Sequence, residues 1–151
     1  MLFVLAQGRS GTAFLSDLLA RAPRTLIRHE LPGDFQILSL SRYSRSERAV
    51  DALLRERFAA VLPRDPGIEV YGEVNSLLRY NADWLRRRFD PVLLHVTRDG
   101  REFVRSAYER DVLTAHQRQL PIVPTDDDPF AEAWPEMSRF ERICWIWQHT
   151  N

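Results

Sequence analysis

Gly8-Arg9-Ser10-Gly11-Thr12 brings together the residue types that hold an anion. The two glycines allow a tight turn and close backbone approach, so successive N–H groups can converge on one ligand. Arg9 adds a formal charge, and Ser10 and Thr12 add hydroxyl donors. Arg98-Asp99-Gly100-Arg101 is a second such place, with Ser106 eight residues after Arg98. An arginine fork there can reach a phosphate, and a helical hydroxyl two turns on can donate to the same group. Each place also has a plain structural reading. A strand-to-helix turn needs a glycine in any case, and Arg98 could simply pair with a carboxylate while Ser106 packs.

The spacing excludes the common nucleotide loops. The ATPase pattern, counted from Gly8, requires Gly and Lys where this chain has Ala13 and Phe14. Arg9, Ser10 and Gly11 do not fit the dinucleotide fingerprint either. All 21 basic residues are arginine, so any phosphate clamp or catalytic cation here is a guanidinium, although genome composition alone could produce that bias. These arginines balance 21 acidic residues, so no global field points to nucleic acid or to an anionic membrane. The single cysteine, Cys144, excludes an internal disulfide, fits a reducing compartment and reads as a small core residue. His and Cys do not cluster as metal ligands, and Asp126-Asp127-Asp128 before Pro129 reads as a solvated turn. No run approaches the ~20 apolar residues that span a bilayer, and the opening run is too short for a signal-peptide core. A cytoplasmic protein without membrane insertion is expected.

Strands alternating with helices must position these residues. Leu2–Ala6 is a continuous apolar run that suits a buried parallel strand. A helix is expected from Thr12 to about Arg21, with Phe14, Leu15, Leu18 and Leu19 on its buried face. Leu26–Ile27 and Ile68–Tyr71 read as short strands, and Val92–Thr97 as a clear one with His95 inside it. Ser44 and Glu47 have capping-box spacing ahead of a helix carrying Val50, Leu53, Leu54, Phe58 and Val61. Further helices are expected over Leu77–Phe89, Asp99–Val112 and from Met137 onward; Arg86–Arg88 reads as a solvated helix end. Gly33–Arg45 and Leu113–Pro135 read as variable loops. This alternation implies an α/β fold with a mostly parallel sheet and ligands beyond its carboxyl edge. Both anion loops lie at strand ends.

Gly8–Thr12 followed by Phe14 and Leu15 resembles the 5′-phosphosulfate loop of sulfotransferases. Arg98 through Ser106 resembles their 3′-phosphate segment, including the Arg-Asp pair and the serine. With arginine in the first loop, the match is closer to the carbohydrate and protein-tyrosine branches than to the small-molecule branch with lysine. Glu73-Val74-Asn75 and the Trp147–Asn151 segment also sit where bacterial members have similar residues. The resemblance spans nearly the whole chain. It implies a P-loop-like α/β fold in one domain, residues 1–151, lacking the C-terminal part of the family fold. Full sulfotransferases continue with further strands and another donor-binding loop, whereas this sequence stops inside an apparent helix. A fragment or a shortened member is expected, and the activity of the 151-residue form stays open.

The resemblance also implies the chemistry. The donor would be 3′-phosphoadenosine-5′-phosphosulfate, without a metal, held by Gly8, Arg9, Ser10, Gly11, Thr12, Ala13, Arg98 and Ser106. A sulfuryl group would pass to a hydroxyl or amine on a carbohydrate, small molecule or protein side chain. Arg9 and the backbone donors of Ser10–Ala13 would stabilise charge on the departing phosphate, each such donor contributing a factor of ~10²–10³. A glutamate shortly after the first helix serves as general base in those branches, and Glu30 holds that place. His29 is the runner-up. In an extended segment the two side chains should point opposite ways, so that only one faces the site. Two rivals stand beside this reading: a transferase using Asp126–Asp128 to hold a divalent ion, and a non-catalytic domain that binds a nucleotide or partner.

Overall fold

The computed structural model describes residues 1–44, 46–113 and 122–150. They pack as two compact units, Met1–Val96 and Thr97–Asn151. The first is a four-stranded, wholly parallel sheet: β1 (Leu2–Ala6), β2 (Thr25–His29), β3 (Val70–Asn75) and β4 (Val92–Val96), in the order β2-β3-β1-β4. The expected α/β class with a parallel sheet and flanking helices is therefore observed. β1 lies inside the sheet between β3 and β4, and Phe3, Val4 and Ala6 are fully buried. That is why this strand is an unbroken apolar run.

One face of the sheet carries the core. Phe3 and Leu5 of β1 and Tyr71 of β3 pack against Ile37 of α2 (Asp34–Tyr43), Leu54 and Phe58 of α3 (Glu47–Val61) and Leu85 of α4 (Ala82–Phe89). Phe58 anchors an aromatic cluster, edge-on to Phe3 at 5.8 Å and stacked on Trp84 at 5.6 Å. Such pairs add about 0.5–1.5 kcal/mol each beyond their buried area. Arg86, Arg87 and Arg88 are exposed in the last turn of α4, as a solvated helix end should be.

Several expectations need correction. Gly33–Arg45, read as a loop, contains the ten-residue α2, followed by α3 capped at Ser46 rather than Ser44. Ser46 Oγ accepts from Ala49 N at 3.3 Å, while Ser44 Oγ accepts from Ser46 N. β3 begins two residues late and runs on through Glu73 and Asn75. The buried residues of α1 (Thr12–Leu19) are Thr12 and Ser16, whereas Phe14 is 72% exposed. α1 therefore lies on β2 and β3 through Thr12 and Ser16 with Leu15 and Leu19 half-buried beside them, while Phe14 and Leu18 are exposed. His95 on β4 is exposed, not a core residue.

In the second unit, α5 (Gly100–Glu109) packs on α6 (Arg139–Thr150). Arg139 ties them together by donating to Val112 O and Tyr108 O, both at 2.8 Å, with its guanidinium over the Tyr108 ring. Cys144 is half-buried, and burial, reinforced by Glu141, raises its thiol pKa. His116 and part of the Leu113–Pro135 loop lie outside the described residues, as do Arg45 and Asn151. Among the described residues no helix is long and apolar enough to cross a membrane.

Candidate active site

Three strand ends of the first unit converge. The loop after β1 is held in an unusual shape: Arg9 has φ 72° and Gly11 φ 81°, both left-handed. Gly11 is the N-cap of α1, where a glycine takes this conformation without penalty. Arg9 has a Cβ and does not, and such strain persists where the surroundings impose it, commonly at binding sites. Gly8 is not left-handed; a Cβ there would sit 3.9 Å from Ser76 Oγ. Ser10 Oγ is buried and meets no hydrogen-bond partner among the described residues. A buried hydroxyl in that condition calls for a ligand or water.

β2 brings His29 and Glu30 to the same place. His29 Nε2 is 3.0 Å from Thr12 Oγ1, at the start of α1. Glu30 follows the strand with φ 38°, so the alternation of side chains breaks there. Its carboxylate accepts a short hydrogen bond from the Ser76 hydroxyl at the end of β3. The expectation that only one of the pair faces the site is overturned: His29 meets α1, and Glu30 meets the residue under Gly8.

Ser76 leads on to two arginines. Its carbonyl accepts from Arg79 Nη1, and the Arg79 guanidinium lies 4.9 Å from the Tyr80 ring centre. Arg42 of α2 approaches the same ring at 5.6 Å. Nε and Nη2 of both arginines are buried and meet no hydrogen-bond acceptor among the described residues. Burial lowers the Arg79 pKa and the Arg42 charge adds to this, while Tyr80 and Glu30 oppose it.

Behind this rim sits a second buried arginine system. Arg57 of α3 donates to both Asp34 oxygens at 2.6 and 2.9 Å and to both Glu73 oxygens at 2.6 and 2.7 Å. Tyr71 O–H donates to Glu73 at 2.5 Å, and Asn75 Nδ2 donates to Asp34 at 2.7 Å. Burial would strip the Arg57 charge, but the bonds and charges of Asp34 and Glu73 outweigh it and hold the pKa above its ordinary value. Burial, reinforced by Glu73, pushes the Tyr71 phenol upward too. Asn75 Oδ1 then accepts from Leu77 N at 2.9 Å, fixing the turn that presents Ser76.

In the second unit, Asp99 caps α5 by accepting from Arg101 N at 3.0 Å and Glu102 N at 3.3 Å. Arg98 lies just before the helix, 3.4 Å from Glu102, and Ser106 is half-buried on it. Trp147 Nε1 donates to Arg98 O at 2.9 Å, and its ring lies so close to Gly100 that a Cβ would meet it at 3.1 Å. A larger residue at this position would require the Trp147 ring to give by a few tenths of an ångström. Asp128 accepts from Phe130 N at 2.8 Å and Trp145 Nε1 at 3.3 Å and faces His149 at 3.9 Å, so it braces its own unit. The described residues contain no group of three or more His, Cys, Asp or Glu placed to hold a metal ion.

Comparison of the chain with family models, with curated proteins and with solved structures finds no match. The function must therefore be argued from the site. Sequence reasoning located Gly8–Thr12, His29 and Glu30, which the fold of the first unit brings together. It located Ser106 on the capped helix of the second unit and Arg98 just before it. It missed Ser76, Arg42 and Arg79, and it missed Arg57 with Asp34. The one available signal was Glu73-Val74-Asn75, which directs attention to the end of β3.

Proposed function

We propose that this protein is a sulfotransferase that moves a sulfuryl group from 3′-phosphoadenosine-5′-phosphosulfate to a hydroxyl or amine. The observation that carries the reading is the loop after β1, where left-handed Arg9 and Gly11 flank a buried Ser10 hydroxyl that has no partner among the described residues. Such a turn at a helix start gathers N–H donors and positive potential suited to a phosphate. The interior position of β1, with this loop beyond its carboxyl end, supports a P-loop-like sheet. The match of Arg98 and Ser106 to a 3′-phosphate segment supports the same donor.

The donor supplies an activated sulfuryl group, and the chain's residues hold and polarise around it. Gly8, Arg9, Ser10, Gly11, Thr12 and Ala13 bind the 5′ end, with the arginine and backbone donors opposing developing negative charge. Glu30 takes the acceptor's proton. Ser76 donates to that carboxylate and fixes its orientation, while His29 positions Thr12 from the other side. Calorimetric titration with adenosine 3′,5′-bisphosphate, ATP and NAD tests the reading. The bisphosphate should bind best; equal or preferential binding of ATP would sink it.

A further inference from the structure

The first unit holds two cationic side chains, Arg42 and Arg79, with buried donors that find no acceptor among the described residues. Guanidinium groups have five donors and no acceptor, and they stay charged under ordinary conditions. Arg57 spends its donors on two carboxylates. Arg42 and Arg79 do not: Nε and Nη2 of each are buried without an acceptor among the described residues. Both groups lie against the ring of Tyr80, at 5.6 and 4.9 Å. A ring face attracts a cation but leaves the in-plane N–H groups unanswered. Two like charges brought together in a buried place repel unless something negative joins them.

A carboxylate joining them from within the chain would make the pair structural. Glu30 is near enough to raise the Arg79 pKa, yet its carboxylate is bonded by the Ser76 hydroxyl, and it makes no ion pair with either arginine among the described residues. The unsatisfied forks therefore suit an oxyanion from outside, since a planar fork matches carboxylate, sulfate or phosphate oxygens two at a time. The position gives the anion a purpose. Arg79 is bonded to the carbonyl of the residue whose hydroxyl is bonded to Glu30. An anion held there is one residue away from the carboxylate that takes the acceptor's proton.

We propose that Arg42 and Arg79, stacked about Tyr80, bind an oxyanion carried by the acceptor and so select acidic acceptors. The acceptor part of this inference rests on the sulfotransferase reading, whereas the anion site itself does not.

The probe is sodium sulfate, titrated into the intact protein with adenosine 3′,5′-bisphosphate saturating, so that the loop after β1 is already filled. The Nε–H resonances of Arg42 and Arg79 should shift together and saturably. Arg42→Gln and Arg79→Gln should each weaken sulfate binding roughly 10- to 100-fold while leaving bisphosphate affinity unchanged. Resonances that do not move in the wild-type protein would overturn the site, and that arm needs no variant to fold. Variants that bind sulfate like wild type would overturn it equally. Sulfate that displaces the bisphosphate from these arginines would assign them to the donor and overturn the acceptor role. Should the bisphosphate not bind at all while sulfate still shifts both resonances, the anion site stands and the sulfotransferase reading falls.

Discussion

Two arginine systems, one buried and one half-buried, lie in the same unit and obey opposite rules. Arg57 is held between Asp34 and Glu73 by four hydrogen bonds of 2.6–2.9 Å, with its side chain 7% exposed and both carboxylates fully buried. Tyr71, Asn75 and the Leu31 N–H use further carboxylate oxygen valences. Nε and Nη2 of Arg42 and of Arg79 are buried and have no such partners among the described residues. Protein interiors rarely leave charged donors unanswered, because desolvation without compensation is expensive. The contrast separates a network made for folding from one made for a ligand. It also shows how they join: Asn75 belongs to the first and, through the Leu77 N–H, shapes the turn bearing Ser76, which serves the second.

The largest effect on stability should come from Arg57. Arg57→Met fills similar space but strands Asp34 and Glu73 as uncompensated charges, and breaking such a network by removing one partner costs about 3–5 kcal/mol. Denaturant unfolding of the variant measures it directly. A loss below about 1 kcal/mol would mean that the carboxylates are relieved by water or protonation, and the first half of the comparison would fail.

Glu30→Gln should leave folding and bisphosphate binding intact, because the amide can still accept from Ser76. Turnover should fall about 10²–10⁴-fold, the usual contribution of a general base. Sulfated product detected by mass is the readout. His29→Ala should do less, since His29 is hydrogen-bonded to Thr12; a larger loss in that variant would move the proton acceptor to the imidazole. Arg98→Ala is expected to weaken bisphosphate binding by about 1.5–3 kcal/mol, the loss of one charge-assisted bond. Unchanged affinity would assign Arg98 to Glu102 and to the α5 terminus instead.

How much of this was legible in the sequence follows from how local each signal is. β1 could be read because an interior parallel strand is apolar on both faces, and Leu2–Ala6 is. Gly8–Thr12 could be read because a loop that binds through its backbone shows its glycines. β3 was misplaced because Glu73 and Asn75 look like strand-ending polar residues, and the charged partners that allow their burial come from α2 and α3, distant in sequence. α2 was missed for a related reason: its 3.6-residue pattern is short, and Asp34, its first residue, faces inward to Arg57. The side-chain directions of His29 and Glu30 followed from strand alternation until a left-handed residue broke it. Nothing in the spacing of Arg42, Arg57 and Arg79 distinguishes them from the other arginines of this chain. Their difference lies entirely in what the fold sets opposite them.

The smallest expected effect is the sharpest test of the contrast. Arg79→Gln removes a charge from a half-buried position, and unlike Arg57→Met its consequence for folding should be slight. The wild-type side chain gains one hydrogen bond to Ser76 O and contact with Tyr80. Against that stand two unsatisfied donors and the repulsion of Arg42, so the net change should stay within about 1 kcal/mol of zero. A stabilised variant would fit equally well. Sulfate then separates the two forms, because a ligand that binds only the folded state stabilises it by RT ln(1 + [L]/Kd). Wild-type melting temperature should rise with sulfate at constant ionic strength, and the rise should shrink in Arg79→Gln but persist in any Arg57 variant that still folds. An Arg79→Gln protein destabilised as severely as Arg57→Met would make both arginine systems structural.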